Sequence, residues 1–182
     1  MTNPFALLGF PTALTLAPAE IDAAWREGSR SGQDEDEAIS SARNEARTVL
    51  SDPVGRLAAW LGIKAPSRPQ DNAIAPELMD LFAKIGPVLA STDGLLARHR
   101  RATTALARAM LAKEAVAAQL AVQGLLREIQ PLKSALIDRF PEFEALAESG
   151  DFEEAGRCLV QLKFLKRWES QCQERLLTLL AA

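Results

Sequence analysis

The sequence predicts an all-α protein, and three observations carry that prediction. Ala and Leu are abundant, Tyr is absent, and Gly and Pro are few and clustered, a composition that favours helices. Apolar residues recur at helical spacing between capping and breaking signals. No period-2 run of β-branched residues is long enough to argue for a sheet.

The elements follow in chain order. Asn3-Pro4 reads as an N-cap with proline at the first helical position, opening a short turn of helix that Gly9 and Pro11 end. Pro18 opens a second helix with Ile21, Ala24 and Trp25 on one side, and Gly28 is expected to end it. The stretch "GSRSGQDEDE" follows, closed by four consecutive acids. Ile39, Ala42, Ala46, Val49 and Leu50 mark a third helix, and Asp52-Pro53 stops it and starts a fourth that closes at Gly62. Two prolines, Ser and Asn in "IKAPSRPQDN" read as a linker.

From Pro76 the helices become long and rich in Ala and Leu. The first carries Gly86-Pro87 as a kink, "STDG" at 91–94 reads as a break, and 95–130 reads as one helix that Pro131 kinks or ends. Residues 141–151 read as a turn region, with Gly150 and Asp151 as C-cap and N-cap. A last helix runs from 152 to about 180. The expected organisation is a small helical domain at 1–63, a linker at 64–75 and a helical bundle at 76–182.

Charge and motifs exclude several functions. The 182-residue chain carries a net charge of -3 and a pI near 5.3, without the basic excess of a dedicated nucleic-acid binder. The cluster "RHRR" at 98–101 reads as a solvated helix face. No apolar run approaches the 18 or so residues that span a membrane, and the N-terminal stretch lacks a basic region ahead of its apolar one. Cys158 and Cys172 on one helix would stand about 20 Å apart, too far for a disulfide. The expected location is the cytoplasm. His99 is the sole histidine, and it has no nucleophile or metal-ligand cluster beside it in sequence. The acids Asp34, Glu35, Asp36 and Glu37 lack the alternating spacing of a calcium loop and suit the start of the following helix dipole. No enzyme, cofactor or metal site is expected.

Two apolar positions stand out instead. At about 100° per residue, Ala155, Cys158, Leu162, Leu165, Cys172, Leu176 and Leu179 form the core stripe of the last helix. Phe164 lies roughly 110° from its centre, and Trp168 flanks it. On the helix from Pro76, Leu78, Leu81, Phe82, Ile85 and Leu89 form the core stripe, and Met79 falls about 100° off it. A patch of exposed Met and Phe is a protein-binding surface or the buried face of a homodimer.

The layout and several residues resemble a known family. "FALLGFP" and "NEARTVLSDPVGRLAAWLG" look like helices of a J-domain, with Asn44, Leu50, Asp52, Pro53 and Arg56 in J-domain positions. "PELMDLFAKI" and "DFEEAGRCLVQLKFLKRWESQCQERL" are similar to the first and last bundle helices of the HscB co-chaperone family. That resemblance implies a co-chaperone without an active site. It would hold an iron–sulfur scaffold protein of the IscU type through apolar bundle residues that fall here on Leu78, Met79, Phe82 and Phe164. The family stimulates an HscA-type ATPase chaperone through a His-Pro-Asp tripeptide after the second helix, and this chain has no such tripeptide. Ala83 and Gly86 stand where the family carries carboxylates. The expected function is therefore an HscB-like adaptor that binds a scaffold without stimulating the ATPase. The alternative is a structural interaction or oligomerisation module with a vestigial J-domain.

Overall fold

The structure, a computed structural model, describes residues 3–31, 37–68 and 74–181. They form α1 (Pro4–Leu7), α2 (Pro18–Ser31), α3 (Glu37–Ser51), α4 (Pro53–Lys64), a 3-10 turn (Pro76–Leu78), α5 (Met79–Arg101), α6 (Ala105–Ile137), α7 (Phe140–Glu148) and α8 (Glu153–Leu180). No strand occurs among the described residues, so the fold is all-α. The acids Asp34, Glu35 and Asp36, and residues 69–73 of the linker, lie outside the described residues.

The chain divides into two compact units: Met1–Asn72 with Leu136–Val160, and Ala73–Ala135 with Gln161–Ala182. The sequence pattern places all of 76–182 in one bundle, whereas residues 136–160 belong to the first unit. Side chains account for this. Phe140 and Phe143 are buried, and the Phe152 ring lies 5.7 Å from that of buried Trp60 on α4. The Glu144 carboxylate accepts hydrogen bonds from Leu14 N–H and Thr15 Oγ1.

Within the first unit, Asn3 caps α1 by accepting from the Phe5 and Ala6 amides. Asp52 caps α4 by accepting from Gly55 N–H at 2.9 Å, with Pro53 in the first turn. Gly28 does not end α2, which continues to Ser31. It leaves room for the Arg43 guanidinium, whose Nη1 donates to Gly28 O at 2.9 Å. Trp25 Nε1 donates to Asn44 Oδ1 at 2.9 Å, Arg47 lies 4.3 Å from the Trp25 ring centroid, and Arg47 pairs with Asp22 at 2.8 Å. One face of α2 is thereby fastened to α3.

In the second unit three expectations change. The "STDG" stretch does not break a helix. Thr92 is buried and its Oγ1 donates to Val88 O at 2.8 Å, while Asp93 pairs with Arg175 at 3.1 Å, so both polar side chains are satisfied inside α5. The break falls at 102–104. There Ala102 turns extended and Thr104 Oγ1 accepts from Ala107 N–H at 3.2 Å, capping α6. Pro131 lies inside α6, which continues to Ile137. In the first unit, residues 140–148 form α7 rather than a turn. Pro141 sits at its first turn, and Gly150 ends it at φ 81° before Asp151 accepts from Glu153 N–H.

Both cysteines lie on α8, free and buried. No helix is long and apolar enough to cross a membrane among the described residues.

Candidate functional site

An apolar patch forms where the start of α5 meets the middle of α8. Ala75 is extended and Pro76 starts the 3-10 turn, so α5 begins with Met79 already on the surface. Leu81, Ile85 and Leu89 follow at helical spacing and are buried, which fixes the rotation of α5 about its axis. Met79 and Phe82, three residues apart and neighbours on one helix face, are each 48% exposed.

Phe82 departs from the core stripe that spacing assigns to it. Its ring meets that of Trp168 with centroids 6.1 Å apart and leaves its other side to solvent. Trp168 is itself buried and meets Phe164 on the same helix at 5.7 Å. Phe164 is half-buried rather than fully exposed, because that ring contact covers one side of it. The sequence flagged Trp168 only as a flank of the stripe. Structurally it is the centre on which Phe82 and Phe164 both rest. Its spacing of four from Phe164 was the available signal.

Leu78 has a different place. It is 2% exposed, so it holds the turn against the bundle and presents almost no surface to a partner. Of the four residues matched through the resemblance, Met79, Phe82 and Phe164 share the patch, and Leu78 supports it.

The rim is polar and mixed in sign. Lys84 pairs with Glu128 at 2.7 Å, and that hydrogen bond holds the Lys84 ammonium above its ordinary pKa. Glu169, next to Trp168, accepts from Lys133 Nζ at 2.6 Å and from Gln130. Ala83 and Gly86 are exposed, so the surface at these two positions carries no carboxylate. A half-exposed aromatic pair seated on a buried Trp, inside a rim of paired charges, has the composition of a protein-docking surface. It has no nucleophile with a base, and no group of three or more potential metal ligands occurs among the described residues.

His99 lies among Arg98, Arg100 and Arg101 on the last turn of α5. On α2, Glu20 accepts from Ala17 N–H at 3.0 Å and Asp22 is held by Arg47, so these two acids serve the local fold.

No protein-family model matches the chain, and no curated protein matches it. Among solved structures it is similar to chaperone HscB from Vibrio cholerae, with a TM-score of 0.53, 19% identity, and 95% of this chain and 96% of that chain covered. The fold is HscB-like. The likeness runs over nearly the whole of both chains and so takes in both units.

Proposed function

We propose that this protein is an HscB-like co-chaperone or adaptor that binds an iron–sulfur scaffold protein of the IscU type through Met79, Phe82 and Phe164. The observation that carries the reading is the patch itself. Two large apolar side chains are half-exposed on α5, and a third leans on the same buried Trp168. Met79 and Phe164 were marked both by helical projection and by the family resemblance. The full-length likeness to an HscB fold supports the same assignment.

The chaperone-activating half is read differently. His-Pro-Asp occurs nowhere in the chain. The second helix, which the family resemblance makes a basic docking face, carries Glu20, Asp22 and Glu27 beside Arg26 and Arg30. An interface so altered in charge loses its electrostatic steering. The protein is therefore an adaptor that does not stimulate an HscA-type ATPase.

Calorimetry of the purified protein with its own host's IscU-type scaffold tests the first half. Binding at micromolar affinity or better is expected, and Met79→Ala/Phe164→Ala should abolish it. Absence of binding by the unaltered protein refutes the scaffold assignment. Clear stimulation of the host's HscA-type ATPase refutes the second half.

A further inference from the structure

The first half of α6 has an outward face that the proposed scaffold site leaves unused. Ala107, Leu111, Ala115, Ala118 and Val122 are the half-buried or buried side of the helix. On the opposite side Leu106 is 74% exposed and Met110 73% exposed, and Val116 and Leu120 are also exposed. Residues 106, 110, 113, 117 and 120 are separated by four, three, four and three positions, which is the spacing of a helix seam that receives a second helix. A helix apolar on both sides is normally buried on both.

Charge selects the occupant. Lys113 sits at the middle of the seam, exposed, and no carboxylate among the described residues pairs with it. Of the neighbouring cations, Arg98 is held by Glu114 and Arg108 lies on another face of α6 and donates to Ala102 O, while Arg100 and Arg101 stand on the last turn of α5, just before α6 begins. Lys113 with these two arginines makes this end of the helix pair basic on a chain of net charge -3. A second copy fits poorly. Residue 113 is the midpoint of 106 and 120, so two seams paired in register, parallel or antiparallel, would set Lys113 against Lys113. A lipid surface fits poorly as well, because an ammonium stands at the centre of the apolar stripe and no aromatic residue anchors it.

We infer that the outward face of α6 at 106–120 docks an acidic amphipathic helix of a partner protein, with Leu106, Met110 and Leu120 as apolar anchors and Lys113 meeting a carboxylate. This surface is separate from the Met79 and Phe164 patch, and its test stands or falls independently of scaffold binding.

The test uses the full chain and two synthetic helical peptides with the same leucine stripe, one flanked by glutamates and one by lysines. Fluorescence anisotropy should show the glutamate peptide binding at least about tenfold tighter, with the difference shrinking at high salt. Leu106→Ala/Met110→Ala should weaken that binding about tenfold or more. Lys113→Glu should reverse the preference between peptides, and both variants alter exposed positions that the fold does not need. Met79→Ala/Phe164→Ala should bind the glutamate peptide unchanged. Equal binding of the two peptides, or no binding of either, overturns the inference. So does a dimer that Leu106→Ala/Met110→Ala converts to monomer, or flotation with phosphatidylserine vesicles that Lys113→Glu abolishes.

Discussion

Phe82 of α5 and Trp168 of α8 face each other with ring centroids 6.1 Å apart and planes inclined at 37°. One ring is half-exposed and the other buried, so the pair separates binding from stability. Truncating Trp168 to Ala removes a core side chain and should cost about 3–5 kcal/mol. Phe82→Ala should cost only about 1 kcal/mol, since half of its ring is in water already. Met79→Ala should stay within about 0.5 kcal/mol. Denaturant unfolding followed through Trp fluorescence measures all three. If Phe82→Ala proves as costly as Trp168→Ala, Phe82 belongs to the core and not to a docking surface.

The loop at 10–17 is held by two side chains from distant parts of the chain. Arg56 on α4 is buried and its Nη1 donates to Leu16 O, while Glu144 on α7 accepts from Leu14 N–H and Thr15 Oγ1. Arg56 Nε finds no partner among the described residues. Burial lowers the guanidinium pKa, and the nearby Asp52 and Glu144 carboxylates oppose that shift. Removing either group leaves a part-buried backbone atom, Leu16 O or Leu14 N–H, without its partner. Arg56→Ala should therefore destabilise the first unit by about 2–3 kcal/mol and Glu144→Ala by about 1–2 kcal/mol. The double variant should lose less than the sum, because both act on one loop. Strict additivity in a double-mutant cycle would show that the two do not share it.

Much of this architecture is legible in the sequence because its signals are local. Asn3-Pro4, Asp52-Pro53 and Gly150-Asp151 mark helix ends through capping chemistry within a few residues, and the structure uses each of them. The stripe on α8 from Ala155 to Cys172 is buried as spacing predicts. The errors come partly from tertiary partners and partly from local side-chain bonds that apolar spacing does not report. Gly28 looks like a stop until Arg43 is seen packed against it. "STDG" looks like a break until Val88 O and Arg175 satisfy Thr92 and Asp93. Thr104 is a capping residue that the apolar periodicity around it concealed. In the candidate site, Met79 is where projection put it. Phe82, which spacing assigns to the core stripe, is half-exposed, and Trp168, which flanks its stripe, is buried, because ring packing between the two helices decides at these positions.

Gly55 gives a prediction whose sign opposes helix propensity. It lies inside α4, where Ala is ordinarily better than Gly by about 1 kcal/mol. A Cβ at this position would stand 2.7 Å from Val49 O, a backbone atom at the end of α3. That carbonyl cannot move away without disturbing the turn that Asp52 caps. Overpacking of this kind costs about 1–3 kcal/mol, so Gly55→Ala should lower stability on balance. Gly62→Ala, with open space around its Cβ, should raise it or leave it unchanged. Thermal melts of the two variants side by side decide the matter. A stabilised Gly55→Ala would mean that α3 and α4 have slack at their junction.

The buried thiols supply a pH dependence. Burial pushes the Cys158 thiol up to about 12, with the Arg139 cation opposing and the Glu154 carboxylate assisting, and burial raises the Cys172 thiol as well. A thiol in the unfolded chain ionises at about 8.5. Below that pH both states hold the proton and the thiols make stability independent of pH. Above it the unfolded chain releases a proton that the folded chain keeps, so stability falls with rising pH until the folded pKa is reached. For Cys158 the window runs from about 8.5 to about 12. Tyr is absent from the chain, so thiolate absorbance can be followed without phenolate beneath it. A folded Cys172→Ala variant, in which Cys158 is the sole thiol, should show almost no thiolate signal at pH 10 and should react with a thiol reagent only as fast as it opens. Cys158→Ala should flatten the fall in denaturation midpoint between pH 9 and 11. Rapid thiol labelling of the native protein at pH 8 would place the thiol in solvent and contradict the packing of Cys158 against Leu136 O at 3.7 Å.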